Sequence, residues 1–209
     1  MRARFTLDEV QAAALEIVDR DGLSALSMRT LGTALGTGPM TLYNYVKNRD
    51  ELEELVAEAV IADMQLPDRR DDWADEVRAV AGAMWDGVRR HPNAVPLVLT
   101  RRTVSASSYN AAERLVQALG TAGLTDEPLL SAFRAVLALI MGSVQVELAG
   151  PLAPDGELAA AAAQIGARAG EEFQQLAALA VVSQRTTPND DFSRALDMLL
   201  AGLPSRLAT

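Results

Sequence analysis

The stretch from Leu23 to Leu55 constrains this chain more than any other, because it prescribes three short helices with a glycine turn between the first two. Ser27 stands before Met28-Arg29-Thr30-Leu31, where its hydroxyl can accept from the free N–H groups of a first helical turn. Leu31, Ala34 and Leu35 recur at helical spacing and make one apolar face. Gly36 follows, where a left-handed residue ends a helix. Pro39 then opens a second helix, since a residue in the first turn needs no N–H partner. From Pro39 to Val46 the large aliphatics are Met40, Leu42 and Val46, and the last two lie four apart, so they pack inward. Thr41, Tyr43, Asn44, Tyr45 and Lys47 are left outside. A short helix with that much outward hydrogen-bonding capacity suits phosphates and base edges better than a core.

The flanking segments complete a unit. Thr6-Leu7-Asp8-Glu9 reads as a capping box, and Val10, Ala14, Ile17 and Val18 form the stripe of a first helix ending near Gly22. Asn48 offers a cap with Glu51 three residues on, and Leu52, Leu55, Val56 and Ala59 carry the next helix inward. Residues 6–48 thus make a three-helix unit with a fourth helix as connector, the pattern of a helix-turn-helix whose second helix enters the major groove.

The run Thr41-Leu42-Tyr43-Asn44-Tyr45-Val46-Lys47-Asn48-Arg49-Asp50-Glu51-Leu52 resembles the recognition-helix signature of the tetracycline-repressor (TetR) family. Leu26-Ser27-Met28-Arg29-Thr30-Leu31-Gly32 resembles the segment that precedes it there, so the likeness spans residues 5–56. Further on, Arg90-His91-Pro92, Leu124-Thr125-Asp126-Glu127 and Leu199-Leu200-Ala201-Gly202-Leu203 are similar to the effector-binding half of that family. The resemblance implies a homodimer whose two heads occupy successive major grooves of a pseudo-palindromic operator, about 34–36 Å apart. It also implies a small molecule bound in the larger domain, which weakens DNA binding by favouring a conformation that does not fit the operator. Repression is the family's commoner habit.

Candidate DNA contacts follow residue by residue. Arg29 is placed for a bidentate contact to guanine, or for a phosphate. Ser27 lies beside it as the cap. Family resemblance implies phosphate or thymine-methyl contacts for Thr41 and Tyr43, with core packing the other reading of Tyr43. Asn44 is a reader of adenine or a phosphate contact, and Tyr45 can reach the DNA backbone with its hydroxyl. Lys47 and Arg49 are phosphate contacts, and Pro39 and Met40 sit at the tip near base edges or methyls. The relative that names the family carries Gln at the position matching Pro39, so its operator does not transfer.

The charge distribution fits a reading head. The 209-residue chain has a net charge of −9, which as an average opposes DNA. Residues 1–49 hold six Arg/Lys and five Asp/Glu, a net of +1, and the acidic excess lies wholly in residues 50–209. An acidic body confines DNA contact to one face. There is no cysteine, so no disulfide frame and no thiolate metal site. The opening Met-Arg-Ala-Arg-Phe-Thr has no apolar stretch, so a cytoplasmic location without a signal peptide is expected.

The remainder reads as helices throughout, giving an all-α class: a head over 1–48 and a helical effector-binding and dimerisation domain over 49–209. Trp73, Val77, Val80, Met84 and Val88 stripe a helix from Asp72 to Arg90. Tyr109, Ala112, Val116 and Leu119 stripe another, closed by Gly120 and Gly123. A long helix from Pro128 to Ala149 carries Leu130, Phe133, Leu137, Ile140, Met141, Val144 and Leu148. Residues 157–182 are Ala-rich and helical with a break near Gly166 or Gly170; 186–189 form a turn, and Asp190 to Leu203 is the last helix. Arg134 and Glu147 speak against a membrane span for the long helix. Its apolar residues wrap more widely than one core needs, which with the Leu-rich last helix suggests a four-helix interface between two subunits.

Catalysis finds little footing. There is one histidine, His91, and neither a Gly-x-Ser-x-Gly elbow, a Gly-x-Gly-x-x-Gly loop nor a P-loop occurs, so no enzyme, metal or cofactor is expected. In the tetracycline repressor a His helps hold a magnesium–drug complex, but the residues around His91 do not match well enough to carry that role over. Asp71-Asp72 and Asp190-Asp191 read as helix-start carboxylates rather than catalytic pairs. Candidate effector contacts are Met84, Trp85, His91, Val98, Arg102, Tyr109, Phe133, Leu137, Met141, Gln145 and Phe173. Most are apolar, pointing to a hydrophobic ligand with a few polar anchors, and each is also a plausible core residue. Two other readings stay open: a regulator whose C-terminal domain only dimerises or holds a protein partner, and a helical enzyme with a vestigial head.

Overall fold

The computed structural model describes residues 5–101, 106–149, 173–183 and 185–203, and every regular element among them is helical. In chain order these are α1 (Leu7–Asp21), α2 (Met28–Ala34), α3 (Pro39–Leu42), α4 (Arg49–Ala62), α5 (Trp73–Arg89), α6 (Val95–Thr100), α7 (Ala106–Thr121), α8 (Asp126–Ala149), α9 (Gln174–Ser183) and α10 (Pro188–Gly202). They belong to two compact units, residues 1–68 with 86–114, and residues 69–85 with 115–209. The division falls inside α5 and α7.

In the first unit α1 packs on α4 and α2, and α2 on α3. The capping box at Thr6 forms as its sequence requires: Thr6 Oγ1 accepts from Glu9 N at 3.1 Å and Thr6 N donates to Glu9 Oε2 at 2.7 Å. Val10, Ala14 and Val18 are fully buried, as are Leu26, Leu31, Leu42, Val56 and Val60. Beyond Gly22, whose φ of +80° suits glycine, a 3₁₀ turn over Leu23–Ala25 leads to α2. The α5–α6 junction is fastened to α1: Asn93 Nδ2 donates to the carbonyls of Val18 and Asp19 at 3.2 and 3.0 Å, and His91 Nδ1 lies 2.8 Å from Asp19 Oδ2. Arg90 Nη2 donates to the carbonyl of Asp63 at the end of α4.

In the second unit, Val77, Val80, Ala81 and Trp85 of α5 are buried, with Leu115 and Leu119 of α7, Val136, Ile140 and Val144 of α8, and Phe192, Leu196 and Leu200 of α10. Helix α8 packs on α10. The Trp85 and Phe192 rings stack with centroids 4.7 Å apart and planes within 2°. Asp72 Oδ1 accepts from Ala74 N and Asp75 N, and Thr187 forms a capping box with Asp190, so both acidic pairs sit at helix starts as expected.

Several boundaries and faces differ from the sequence reading. Helix α3 ends at Leu42 rather than continuing to Val46, because Asn44 Nδ2 donates to the Thr41 carbonyl that a further turn would use. The buried stripe of α7 is Ala111, Leu115, Ala118 and Leu119, while Tyr109 is 61% exposed. Arg114 lies within that stripe because its guanidinium donates to the Pro67 carbonyl at 2.7 Å. Thr186–Asn189 is no turn: Thr187 caps α10 and Pro188 is its first residue. Of the Ala-rich stretch 157–182 only the part from 173 on lies among the described residues, and Gly166 and Gly170 lie outside them.

Helix α8 is long and apolar enough to cross a membrane, yet only 22% of its most apolar window is buried here. Its covered face is the single row Ala132, Val136, Ile140 and Val144, while Leu130 and Val146 are exposed.

Candidate nucleic-acid interface

The motif is built on backbone economy. Ser27 Oγ accepts from Thr30 N at 3.1 Å and Ser27 N donates to Thr30 Oγ1 at 3.0 Å, closing the start of α2. At its other end Leu35 N donates to Leu31 O, and Thr37 N reaches back to Gly32 O at 2.8 Å. Gly36 takes φ +61°, a conformation in which a Cβ is strained. Thr37 Oγ1 donates to Thr41 Oγ1 at 3.1 Å, tying the turn to α3. Leu42 is fully buried and Val46 nearly so, which fixes the opposite side of this segment outward.

That outward side holds most of the expected readers. Pro39, Asn44 and Lys47 are exposed, Met40 is 78% exposed and Tyr43 48%. Thr41 is half-buried. Arg29 is exposed on α2, beside a cleft of about 300 Å³ whose walls include Arg20, Asp21 and Thr33. Neither Arg29 nor Lys47 has a carboxylate partner among the described residues.

Three expected contacts are otherwise engaged. Tyr45 is half-buried, and its hydroxyl accepts from Phe5 N and donates to Phe5 O, both at 2.9 Å. Its ring meets that of Phe5 at 6.5 Å. Arg49 spends its guanidinium inside the unit: Nε on Glu53 Oε1 at 2.8 Å, Nη1 on Leu26 O at 2.9 Å and Nη2 on Leu23 O at 3.4 Å. The Ser27 hydroxyl is committed to its capping box. For Ser27 the sequence pattern already showed the cap; for Tyr45 and Arg49 it showed the chemistry but not the distant partners that folding gives them.

The expected effector contacts scatter. A cavity of about 400 Å³ in the second unit is walled by Trp85, by Ala138, Gly142, Ser143 and Val146 of α8, and by Thr186, Asp191 and Phe192. Trp85 is the expected residue found there. Phe133, Leu137 and Met141 form a half-buried row on a different face of α8, Gln145 is exposed, and Met84 is buried. Phe173 is 54% exposed. His91, Val98 and Tyr109 belong to the first unit, and Arg102 lies outside the described residues. His91 sets both ring nitrogens against carboxylates, Asp19 at 2.8 Å and Asp63 at 3.4 Å, so it serves the α5–α6 junction. Of the cavity's polar residues, Thr186 escaped the sequence reading because it took 186–189 for a turn, and Asp191 because it was read as a helix-start carboxylate.

An all-helical chain with a capped, glycine-turned helix pair and a solvent-facing polar segment defines the class of helix-turn-helix proteins with a helical companion domain. Residues 66–207 match the family model "Tetracyclin repressor-like, C-terminal domain", and the chain belongs to that family. The chain is 33% identical over 146 residues, 69% of its length, to the HTH-type transcriptional repressor DrrR1 of Streptomyces coeruleorubidus. It is 32% identical over 68% of its length to an HTH-type transcriptional regulator of Saccharopolyspora erythraea. It spans 54% and 61% of those two proteins. Among solved structures it resembles the Streptomyces coelicolor TetR family protein ActR in complex with actinorhodin, with a TM-score of 0.82 and 26% identity over 97% of this chain and 96% of that one.

Proposed function

We propose that this protein is a homodimeric transcriptional repressor that binds a pseudo-palindromic DNA operator and is released by a small, largely hydrophobic molecule. The observation that carries the reading is the solvent-facing set Pro39, Met40, Tyr43, Asn44 and Lys47, held outward by buried Leu42 and Val46. No core requirement explains that much exposed hydrogen-bonding capacity on so short a segment. The names of the relatives, one a repressor and one a regulator, support it.

Residues 1–48 are the DNA-binding domain and 49–209 the effector-binding and dimerisation domain in this proposal. Arg29, Pro39, Met40, Thr41, Tyr43, Asn44 and Lys47 contact the operator, with Ser27, Tyr45 and Arg49 positioning them. The dimer forms through α8 and α10, whose exposed Leu130, Val146 and Met198 supply an uncovered apolar surface. The effector lies against the half-buried Phe133–Leu137–Met141 row of α8; the structure of ActR with actinorhodin supports a small-molecule role for this domain. The protein works in the cytoplasm and is not an enzyme.

The test is a paired substitution, Tyr43→Ala with Asn44→Ala, on a duplex selected from a random pool by the unaltered protein. Loss of at least ~10-fold in affinity for that duplex, with unchanged binding to unrelated duplex and an unchanged melting temperature, supports the reading. Equal affinity for the selected duplex contradicts it.

A further inference from the structure

The cavity between α8 and the start of α10 differs in chemistry from the apolar row proposed to hold the effector. Its volume of about 400 Å³ falls in the range of small-molecule pockets, ~300–1,000 Å³. Its buried walls are the stacked rings of Trp85 and Phe192, 2% and 4% exposed. Two carboxylates also line it, Glu147 of α8 and Asp191 of α10, and the other polar side chains in the wall are hydroxyls. No Lys, Arg or His lines it among the described residues. The wall is thus aromatic on one side and negative on another.

Helix electrostatics account for only one of the two acids. Asp191 belongs to the first turn of α10, where the macrodipole favours a carboxylate. Its Oδ2 accepts from the Thr186 hydroxyl at 2.9 Å, which fixes it at the cavity, and it forms no ion pair among the described residues. Glu147 lies in the last turn of α8, where the macrodipole disfavours a negative charge. Gly142 adds an independent observation. Glycine weakens a helix interior relative to alanine, yet a Cβ built at Gly142 would meet nothing within 4 Å. No contact among the described residues asks for glycine there. The room it leaves opens into the same cavity.

We infer that this cavity binds an organic cation with a flat apolar body, its ring packed against Trp85 and Phe192 and its charge held by Glu147 and Asp191. In a partly enclosed apolar site a carboxylate attracts a positive charge more strongly than it does in open water, and an aromatic wall adds cation–π attraction. The site lies on a different face of α8 from the Phe133–Leu137–Met141 row. Its occupancy is measured without DNA, so it stands or falls apart from the operator reading.

The experiment is equilibrium dialysis of the full chain at neutral pH against three probes of one ring outline: N-methylquinolinium, neutral methylnaphthalene and anionic naphthoate. The native chain is expected to bind the cation ~10-fold or more tightly than the neutral ring, and the anion not at all. The Asp191→Asn/Glu147→Gln variant is expected to lose that preference while keeping its affinity for the neutral ring. Gly142→Leu fills the cavity with a better helix former. It is expected to abolish binding of both rings with an unchanged or higher melting temperature. Equal affinity of the native chain for cation and neutral ring overturns the inference, as does a cation preference that survives the double carboxylate variant. Undiminished cation binding by Gly142→Leu places the ligand elsewhere and also overturns it. So does the absence of any binding to the native chain, the result expected if a second copy of the chain fills the cavity.

Discussion

A Cβ added at Gly32 would stand 2.9 Å from the carbonyl oxygen of Thr37, the residue whose N–H bonds back to the Gly32 carbonyl. The turn of the motif closes directly onto the face of α2, and a backbone oxygen cannot step aside as a flexible side chain would. Gly32→Ala is expected to destabilise the head by about 1–3 kcal/mol through this overpacking. Chemical denaturation should show it, with accelerated amide exchange in residues 31–42. Gly36→Ala, with open space around it but φ +61°, is expected to cost about 1 kcal/mol through backbone strain alone.

The Trp85–Phe192 stack joins α5 to α10 in the second unit. Phe192 is 4% exposed, so Phe192→Ala removes a buried ring and is expected to cost about 3–5 kcal/mol. Thermal unfolding of the full chain checks this. A change below about 1 kcal/mol would show that the stack does not hold the unit together.

His91 has a half-buried ring set between Asp19 and Asp63, with Asn93 bonded to the end of α1 beside it. His91→Ala is expected to destabilise the first unit by about 1–3 kcal/mol, because it removes a mostly buried ring together with its hydrogen bond to the Asp19 carboxylate. In a double-mutant cycle, Asp19→Asn and His91→Ala should couple, whereas His91→Ala and Phe192→Ala should add.

Asp190 is held below the usual carboxylate range, chiefly by the Thr187 hydroxyl and then by the Thr187 N–H. A carboxylate whose folded value is depressed contributes stability above its unfolded value, and loses that contribution as pH falls through the folded value. Acid unfolding curves of the native chain should therefore drop below the ordinary Asp range more steeply than those of Asp190→Asn. The Asn variant keeps an acceptor but not the charge, so at neutral pH it is expected to be slightly less stable than the native chain.

Much of the fold was legible because its signals are local. The capping boxes at Thr6 and Thr187 and the Ser27 and Asn48 caps are four-residue patterns, and Gly36 is a single-residue one; of these, only the onset at Thr187 was misread. The inward face of the α3 segment was legible because Leu42 and Val46 repeat at helical spacing. What the sequence concealed depends on distant partners. Tyr45 looked like a DNA contact until Phe5, forty residues away, took its hydroxyl. Arg49 looked like a phosphate contact until the Leu23 and Leu26 carbonyls, over twenty residues away, met its guanidinium. The face of α7 was misjudged because a buried arginine breaks the apolar pattern, its guanidinium donating to the Pro67 carbonyl.

The central claim is tested most directly by incubating the full chain with a random duplex pool at two salt concentrations, then sequencing what it retains. The account predicts a pseudo-palindrome whose half-site centres lie about one helical turn or a small multiple apart, with affinity falling steeply as salt rises. Folded protein that enriches no sequence above non-specific binding at either salt concentration would contradict it.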